Sequence, residues 1–320
     1  MWEVLETARF VAGQSQLVKI NQEALVGFCD QIVVKDGKVP PWDAFHHYCG
    51  SKEETAFYLL VLDSINFCFW ALSGKARWEI DHGSEKLSGY FGLAAALKQA
   101  VESGIPIIHA DYLSQLTMDQ LAGILGGRGE LPLMKERLQN LRELGKVLQT
   151  DFGGKAFKLF EAAEGSALTL VRLLAAKFRS FQDVAEFEGH KVFLYKRGQL
   201  LAADLYGALQ GKGWGHFYDI DKLTAFADYK LPQVLRHLGI FEYSPALASR
   251  VDQLIHIESG SPEEVEIRAN TVWAVELIRR ALERLGIQLN AFEIDWMLWN
   301  LGQKEEFREK PYHRTMTIFY

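Results

Sequence analysis

Two carboxylates stand where a carboxylate is hard to place. Asp228 lies in the run 226–232, Phe-Ala-Asp-Tyr-Lys-Leu-Pro, between aromatic rings. Proline presets a first helical turn, and the residue before it avoids helix, so Asp228 falls in irregular chain just ahead of a helix start. Asp295 lies in 290–300, Asn-Ala-Phe-Glu-Ile-Asp-Trp-Met-Leu-Trp-Asn. On a helix its neighbours three and four residues away are Ala291, Phe292, Leu298 and Trp299, an apolar face. Each acid has two readings. Asp228 is a helix cap, or it faces a ligand. Asp295 is half of a core ion pair with an arginine, or it reads a ligand's donors from a pocket wall flanked by Trp296 and Trp299. A buried carboxylate is costly without one or the other.

Three further groups carry polar chemistry. Lys196-Arg197 could hold a phosphate monoester, or form a solvated face. His46 and His47 are adjacent, so on any regular element only one faces a given site. The run 62–70, Leu-Asp-Ser-Ile-Asn-Phe-Cys-Phe-Trp, is rich in aromatics and reads as core or pocket. Its Asp63 and Asn66 need partners if buried. The chain has no GxxxxGK[ST] loop, no strand-linked GxGxxG, no HExxH, no Cys/His set with zinc spacing and no GxSxG elbow. The expectation is therefore chemistry without metal or cofactor, centred on carboxylates in aromatic surroundings.

The elements that must position these groups are mostly helical. Ser51 to Glu54 fits a capping box ahead of an apolar stretch over 56–70. Thr117 to Gln120 forms a second box, opening 121–125. Ser261-Pro262-Glu263-Glu264 opens a third helix, whose apolar residues from Val265 to Leu285 follow a period near 3.6. Glu264–Arg268 and Glu276–Arg280 are supporting pairs one turn apart, and Gly286 ends the helix. Further helices are expected over 3–12, 22–34, 89–103, 133–149, 155–163, 166–177, 195–209, 219–226, 232–239 and 291–300. Strands are few and short, at 77–81, 105–109, 191–195 and 315–320. No repeat, linker or low-complexity segment divides the 320 residues, so the reading is one mostly α domain over 1–320, least defined in its first 50 residues.

Composition narrows the partners. A net charge of −6 without a dense basic block disfavours a stable complex with DNA or RNA, because phosphate contacts dominate such binding. Three cysteines without a CxxC pair argue against a disulfide framework. The first ten residues lack a basic start, and the most apolar run, 57–72, is too short and polar to span a bilayer. A cytoplasmic protein without membrane contact is expected.

The stretches FADYKLPQVLRHLGI, LDSINFCFW, YFGLAAAL, EGSALTLVRLL, VAEFEGHKVFLYKRGQLLAADLYGAL, EEVEIRANTVWAVELIRRAL and PYHRTMTIFY together resemble the queuosine salvage protein family, in order, over 56–320. The resemblance implies a helical fold related to the helix-hairpin-helix DNA glycosylases. It also implies hydrolysis of the N-glycosidic bond of queuosine 5′-monophosphate, yielding queuine and ribose 5-phosphate for salvage into tRNA. By the same resemblance Asp228 is the catalytic carboxylate, Phe226 lines the base site and Asp295 reads the base. A histidine ahead of LDSINFCFW, His46 or His47, contacts the base. Asn300 stands where the family often has an acid, so a charge contact there becomes a hydrogen bond.

These residues suit that reaction. Position 7 of the base is carbon, so protonation there is closed, and the ribose must leave with oxocarbenium character. A carboxylate near the anomeric carbon stabilises that cation or activates water, which suits Asp228. One carboxylate can take N1–H and the amino group of a guanine edge together, which suits Asp295. Tyr229, Trp296 and Trp299 serve as walls, and His46, His47 or Asn300 as contacts to the aminomethyl cyclopentenediol. Lys196, Arg197 and Lys230 are the cations for the 5′-phosphate. Two other readings compete: a queuine carrier without catalysis, which has no need of Asp228, and a glycosylase that flips a base out of a strand.

Overall fold

The computed structural model describes residues 2–34, 38–72 and 74–320. The chain runs α1 (Glu3–Gln14), β1 (Val18–Ile20), α2 (Gln22–Val34), α3 (Lys52–Ser64), β2 (Glu79–His82), β3 (Glu85–Ser88) and α4 (Gly89–Glu102). Then come α5 (Ala110–Gln115), α6 (Met118–Leu125), α7 (Met134–Phe152), α8 (Ala156–Glu161), α9 (Ala167–Lys177), β4 (Val184–Phe187), β5 (His190–Phe193) and α10 (Lys196–Ala208). The last elements are α11 (Lys230–His237), β6 (Phe241–Tyr243), α12 (Pro245–Asp252), α13 (Pro262–Arg284) and α14 (Ala291–Leu301). The six strands form antiparallel pairs, β2–β3 and β4–β5 as hairpins and β1–β6 across the chain. Among the described residues no helix is long and apolar enough to cross a membrane.

Local signals place most helix starts. Ser51 and Glu54 close a reciprocal capping box on α3, as Thr117 and Gln120 do on α6. Ser261 caps α13 with Pro262 in its first turn, but Glu264 turns back to the Gly260 N–H (2.9 Å). Arg268 meets Glu264 at 3.4 Å and Arg280 meets Glu276 at 2.6 Å, the expected pairs along α13.

Four expected elements differ, each because backbone groups find other partners. The apolar stretch after Ser51 leaves the helix at Ser64. There the buried Arg137 of α7 donates to the carbonyls of Ile65, Phe67 and Cys68, and Cys68 takes a left-handed φ of 45°. Over 219–226 only a 3-10 turn, Ile220–Lys222, forms, because buried side chains hold the chain that follows. Over 105–109 Pro106 interrupts, and His109 N–H closes a turn onto its carbonyl at 3.1 Å. Along 315–320 no ladder forms; Arg314 bridges His256, and the last residue accepts the Cys68 N–H at 2.8 Å.

Two apolar cores result. One gathers α1, α3 to α10 and part of α13. The other joins α2, α11, α12, the middle of α13 and much of α14. The segment 225–231 crosses between them: Phe226 and Ala227 belong to the first core, Ala225 and Leu231 to the second. Asp228 therefore lies on the seam.

Candidate active site

A cavity of about 790 Å³ opens along that seam. It is the size of a nucleotide-scale site, concave and rich in aromatic rings. Phe226, Asp228, Tyr229 and Lys230 line it, with Lys196 and Asp204 of α10 and with Asp295, Trp296, Trp299 and Asn300 of α14.

The segment carrying Asp228 is pinned at almost every residue. Gln199 Oε1 accepts the Thr224 N–H (2.9 Å) and its hydroxyl (3.1 Å). Asp295 Oδ1 accepts the Phe226 N–H (2.7 Å). Arg268 Nε donates to the Ala227 carbonyl (2.9 Å) while its other nitrogens grip Asp183 at 2.9 and 2.7 Å. Asp183 also accepts the Lys196 N–H (3.0 Å), so a buried ion pair ties the start of α10 to the residue before Asp228. A chain held this way needs no helix to satisfy its backbone.

Both readings of Asp228 hold at once. Its Oδ1 accepts the N–H groups of Lys230 (2.8 Å) and Leu231 (2.9 Å) and so caps α11. Its Oδ2 has no hydrogen-bond partner among the described residues, and the side chain lines the cavity. Burial raises the Asp228 pKa; the Lys196 ammonium and the two capped N–H groups pull it back. Lys196 is itself buried, which lowers its pKa against the raising charges of Asp228 and Asp63. Asp295 has no arginine partner among the described residues. Burial, then the Asp228 charge, push its pKa well up, with only the Phe226 N–H and Lys196 opposing.

The cavity lining holds two kinds of residue. Trp42, His47, Tyr90, Phe91, Trp296 and Trp299 supply rings. His47 Nε2 lies 2.7 Å from the Tyr90 hydroxyl and Nδ1 2.5 Å from the Asp43 carbonyl; burial lowers its pKa. Arg77, Lys230, Arg308 and Arg314 gather near Tyr229 and Tyr312, whose rings lie 4.7 Å apart. Lys230 Nζ sits 5.5 Å from the Tyr312 ring centre. Burial, against the Asp228 charge, brings the Lys230 pKa down to about 8.

Of the residues singled out in the sequence, His46, Asp63 and Arg197 do not line the cavity. His46 pairs with Asp43 (2.5 Å) on the far side of its turn. Arg197 is buried and donates to the carbonyls of Asp63 (2.6 Å) and Ser180, which anchors the end of α3. Lys196, its neighbour, points instead into the cavity beside Asp228. Sequence reasoning passed over Asp204, Tyr90, Arg77, Arg308, Arg314 and Tyr312. One signal was present: Lys196, Leu200 and Asp204 repeat every four residues, so Asp204 falls on the same helix face as Lys196.

The family model described as "Queuosine salvage protein" matches residues 46–320. The chain is 47% identical over 317 residues to a Sphaerobacter thermophilus protein named queuosine 5′-phosphate N-glycosylase/hydrolase, covering 99% of this chain and 97% of the relative. A Dictyostelium discoideum protein of the same name is 40% identical over 330 residues (99% and 98%), and one from Bos taurus 35% over 333 residues (98% of each). These alignments include the first 50 residues, where α1 and α2 pack on α13. The chain belongs to the queuosine salvage protein family.

Proposed function

We propose that this protein hydrolyses the N-glycosidic bond of queuosine 5′-monophosphate, releasing queuine and ribose 5-phosphate. The observation that carries the reading is the Asp228 carboxylate. One of its oxygens is fixed by two backbone N–H groups, the other is free at a nucleotide-sized cavity, and a buried ammonium lies beside it. Fixing one oxygen aims the other without cost at the moment of reaction. The free oxygen faces the anomeric carbon, where it stabilises the oxocarbenium-like centre and orients the attacking water. Lys196 keeps Asp228 ionised for that task, in place of the phosphate role its sequence suggests.

Asp295 reads the deazaguanine edge as a neutral acid. Burial and the Asp228 charge raise its pKa well above the usual carboxylate range and Oδ1 already accepts the Phe226 N–H, so this reading places the proton on Oδ2. Oδ1 has a second lone pair for the base N1–H, and Oδ2–H donates to the base carbonyl. That proton then meets the charge that builds on the departing base, which has no N7 to protonate. Phe226 and Trp299 bound the base, and His47 and Asn300 lie where its substituent extends. The 5′-phosphate lies among Lys230, Arg77 and Arg314. Kinship with the helix-hairpin-helix glycosylases and a cytoplasmic location accompany this reading.

The test is product analysis with queuosine 5′-monophosphate, alongside Asp228→Asn. Asparagine keeps the capping oxygen and removes the charge. Free queuine from the native protein, and a loss of about 10³-fold or more in the variant with nucleotide binding retained, is the expected result. Binding without base release by the native protein would mean a carrier instead.

A further inference from the structure

Asp204 is a buried carboxyl group whose one hydrogen-bond contact among the described residues is a long one to Tyr90. It is 2% exposed, lines the cavity, and lies two turns along α10 from Lys196, about 12 Å at the helix rise. The Tyr90 hydroxyl lies 3.4 Å from its Oδ2. That hydroxyl has a single proton. The Asp43 carbonyl only accepts, so His47 Nδ1 carries the hydrogen there; the neutral ring's Nε2 must then accept the Tyr90 O–H at 2.7 Å. Tyr90 therefore has no proton left for Asp204. No ion pair to Asp204 occurs among the described residues. Burial, then the Asp63 charge of α3, push its pKa well above the usual carboxylate range; Lys196 of α10 and Tyr90 of α4 oppose this and Asp295 of α14 adds to it.

The walls beside it are aromatic. Gly207, one turn further on the same face, is covered by two rings: a Cβ there would lie 2.9 Å from Trp42 and 3.5 Å from Trp296. Tyr90 meets Trp299 edge-on at 5.8 Å. A buried acid without an ion-pair partner among indole and phenol faces is an arrangement that suits an alkylammonium ion, whose charge favours the ionised carboxylate and whose cation–π attraction to the rings adds to it. A neutral or anionic substituent would leave the acid unpaired.

We propose that Asp204, walled by Trp42, Tyr90 and Trp296, is the receptor for a positively charged amine on the base, and that it selects alkylammonium-bearing deazaguanine nucleotides over neutral ones. This rests on the nucleotide hydrolase reading above. It makes Asp204 a specificity residue remote from the bond that breaks.

The test compares two probes of similar size, 7-aminomethyl- and 7-cyano-7-deazaguanosine 5′-monophosphate, in kcat/KM and in binding. The native protein should favour the aminomethyl probe. Asp204→Asn should lose about 30-fold or more on that probe and less than about 3-fold on the cyano probe. Continued turnover of the cyano probe shows that the variant is folded. Trp42→Leu, at the cavity rim, should weaken the same preference with Asp204 intact. Equal losses on both probes, or an undiminished preference in both variants, would overturn the proposal. If the native protein cleaves neither probe, nor queuosine 5′-monophosphate, the hydrolase reading fails. The amine receptor is then judged by binding alone: an aminomethyl preference lost in Asp204→Asn sustains it, and equal affinities refute it.

Discussion

Asp295 accepts the backbone N–H of Phe226 at 2.7 Å, and so the acid assigned to the base also holds the chain two residues ahead of Asp228. On the proposed roles, base recognition by Asp295 and the aim of Asp228 are mechanically joined, so a base that fails to seat against Asp295 would act on the segment that carries Asp228.

The protonation state of Asp295 can be read from substitutions. A neutral acid has one acceptor and one donor, and asparagine reproduces both. Asp295→Asn should retain kcat/KM within about 10-fold, whereas Asp295→Leu, which also abandons the Phe226 N–H, should lose about 100-fold or more. Equal losses in both variants would show that the ionised form is required.

Lys196 should govern the acid limb of the pH–rate profile. Burial raises the Asp228 pKa and Lys196 opposes it, so removing the ammonium lets the pKa rise further. In the proposed mechanism the active form is the ionised one, present above that pKa. Lys196→Met should therefore shift the acid limb of kcat/KM upward by about one pH unit or more. A phosphate ligand would behave otherwise, raising KM for the nucleotide and leaving the nucleoside's unchanged.

The basic residues of the cavity should report on the phosphate. Arg77→Ala should raise KM for the 5′-monophosphate about 10-fold or more with little effect on the nucleoside. Lys230, with a pKa brought down to about 8, is cationic below that value and neutral above it. Nucleotide affinity should fall as pH rises through about 8, and Lys230→Gln should remove that dependence in a titration of Kd against pH.

Arg268 is the buried tie between α13, Asp183 and the Ala227 carbonyl. Arg268→Met leaves the Asp183 carboxylate buried without its partner and should cost about 3–5 kcal/mol in chemical denaturation. The double variant with Asp183→Leu should recover part of that loss, because the Asp183 charge is then no longer stranded and only Glu264, 3.4 Å from Arg268, loses a partner.

Much of the helical frame is local and can be read directly. Reciprocal caps at Ser51 and Thr117 and the Ser-Pro start at residue 261 act through hydrogen bonds within four residues, so the sequence alone carries them. The breaks are not local. The end of α3 at Ser64 depends on Arg137, which lies about seventy residues away and takes the carbonyls a longer helix would use. The segment before Asp228 has helical composition, yet Gln199, Asp295 and Arg268 hold its backbone more firmly than a helix of its own would.

The same division runs through the site. Residue type and apolar surroundings alone single out Asp228 and Asp295, because a carboxylate on an apolar face demands a partner wherever the chain folds. They do not separate Lys196 from Arg197, adjacent residues that point opposite ways from one helix turn, one into the cavity and one into the carbonyls behind α3. Nor do they bring Arg77, Arg308 and Arg314 to one cavity, since those residues are joined only by the packing of distant segments. The acids, the caps and the family were written in the chain's local order. Which cation lies at the cavity near the acids and which is buried in the fold behind them was decided by tertiary packing, because burial and orientation depend on neighbours remote in sequence.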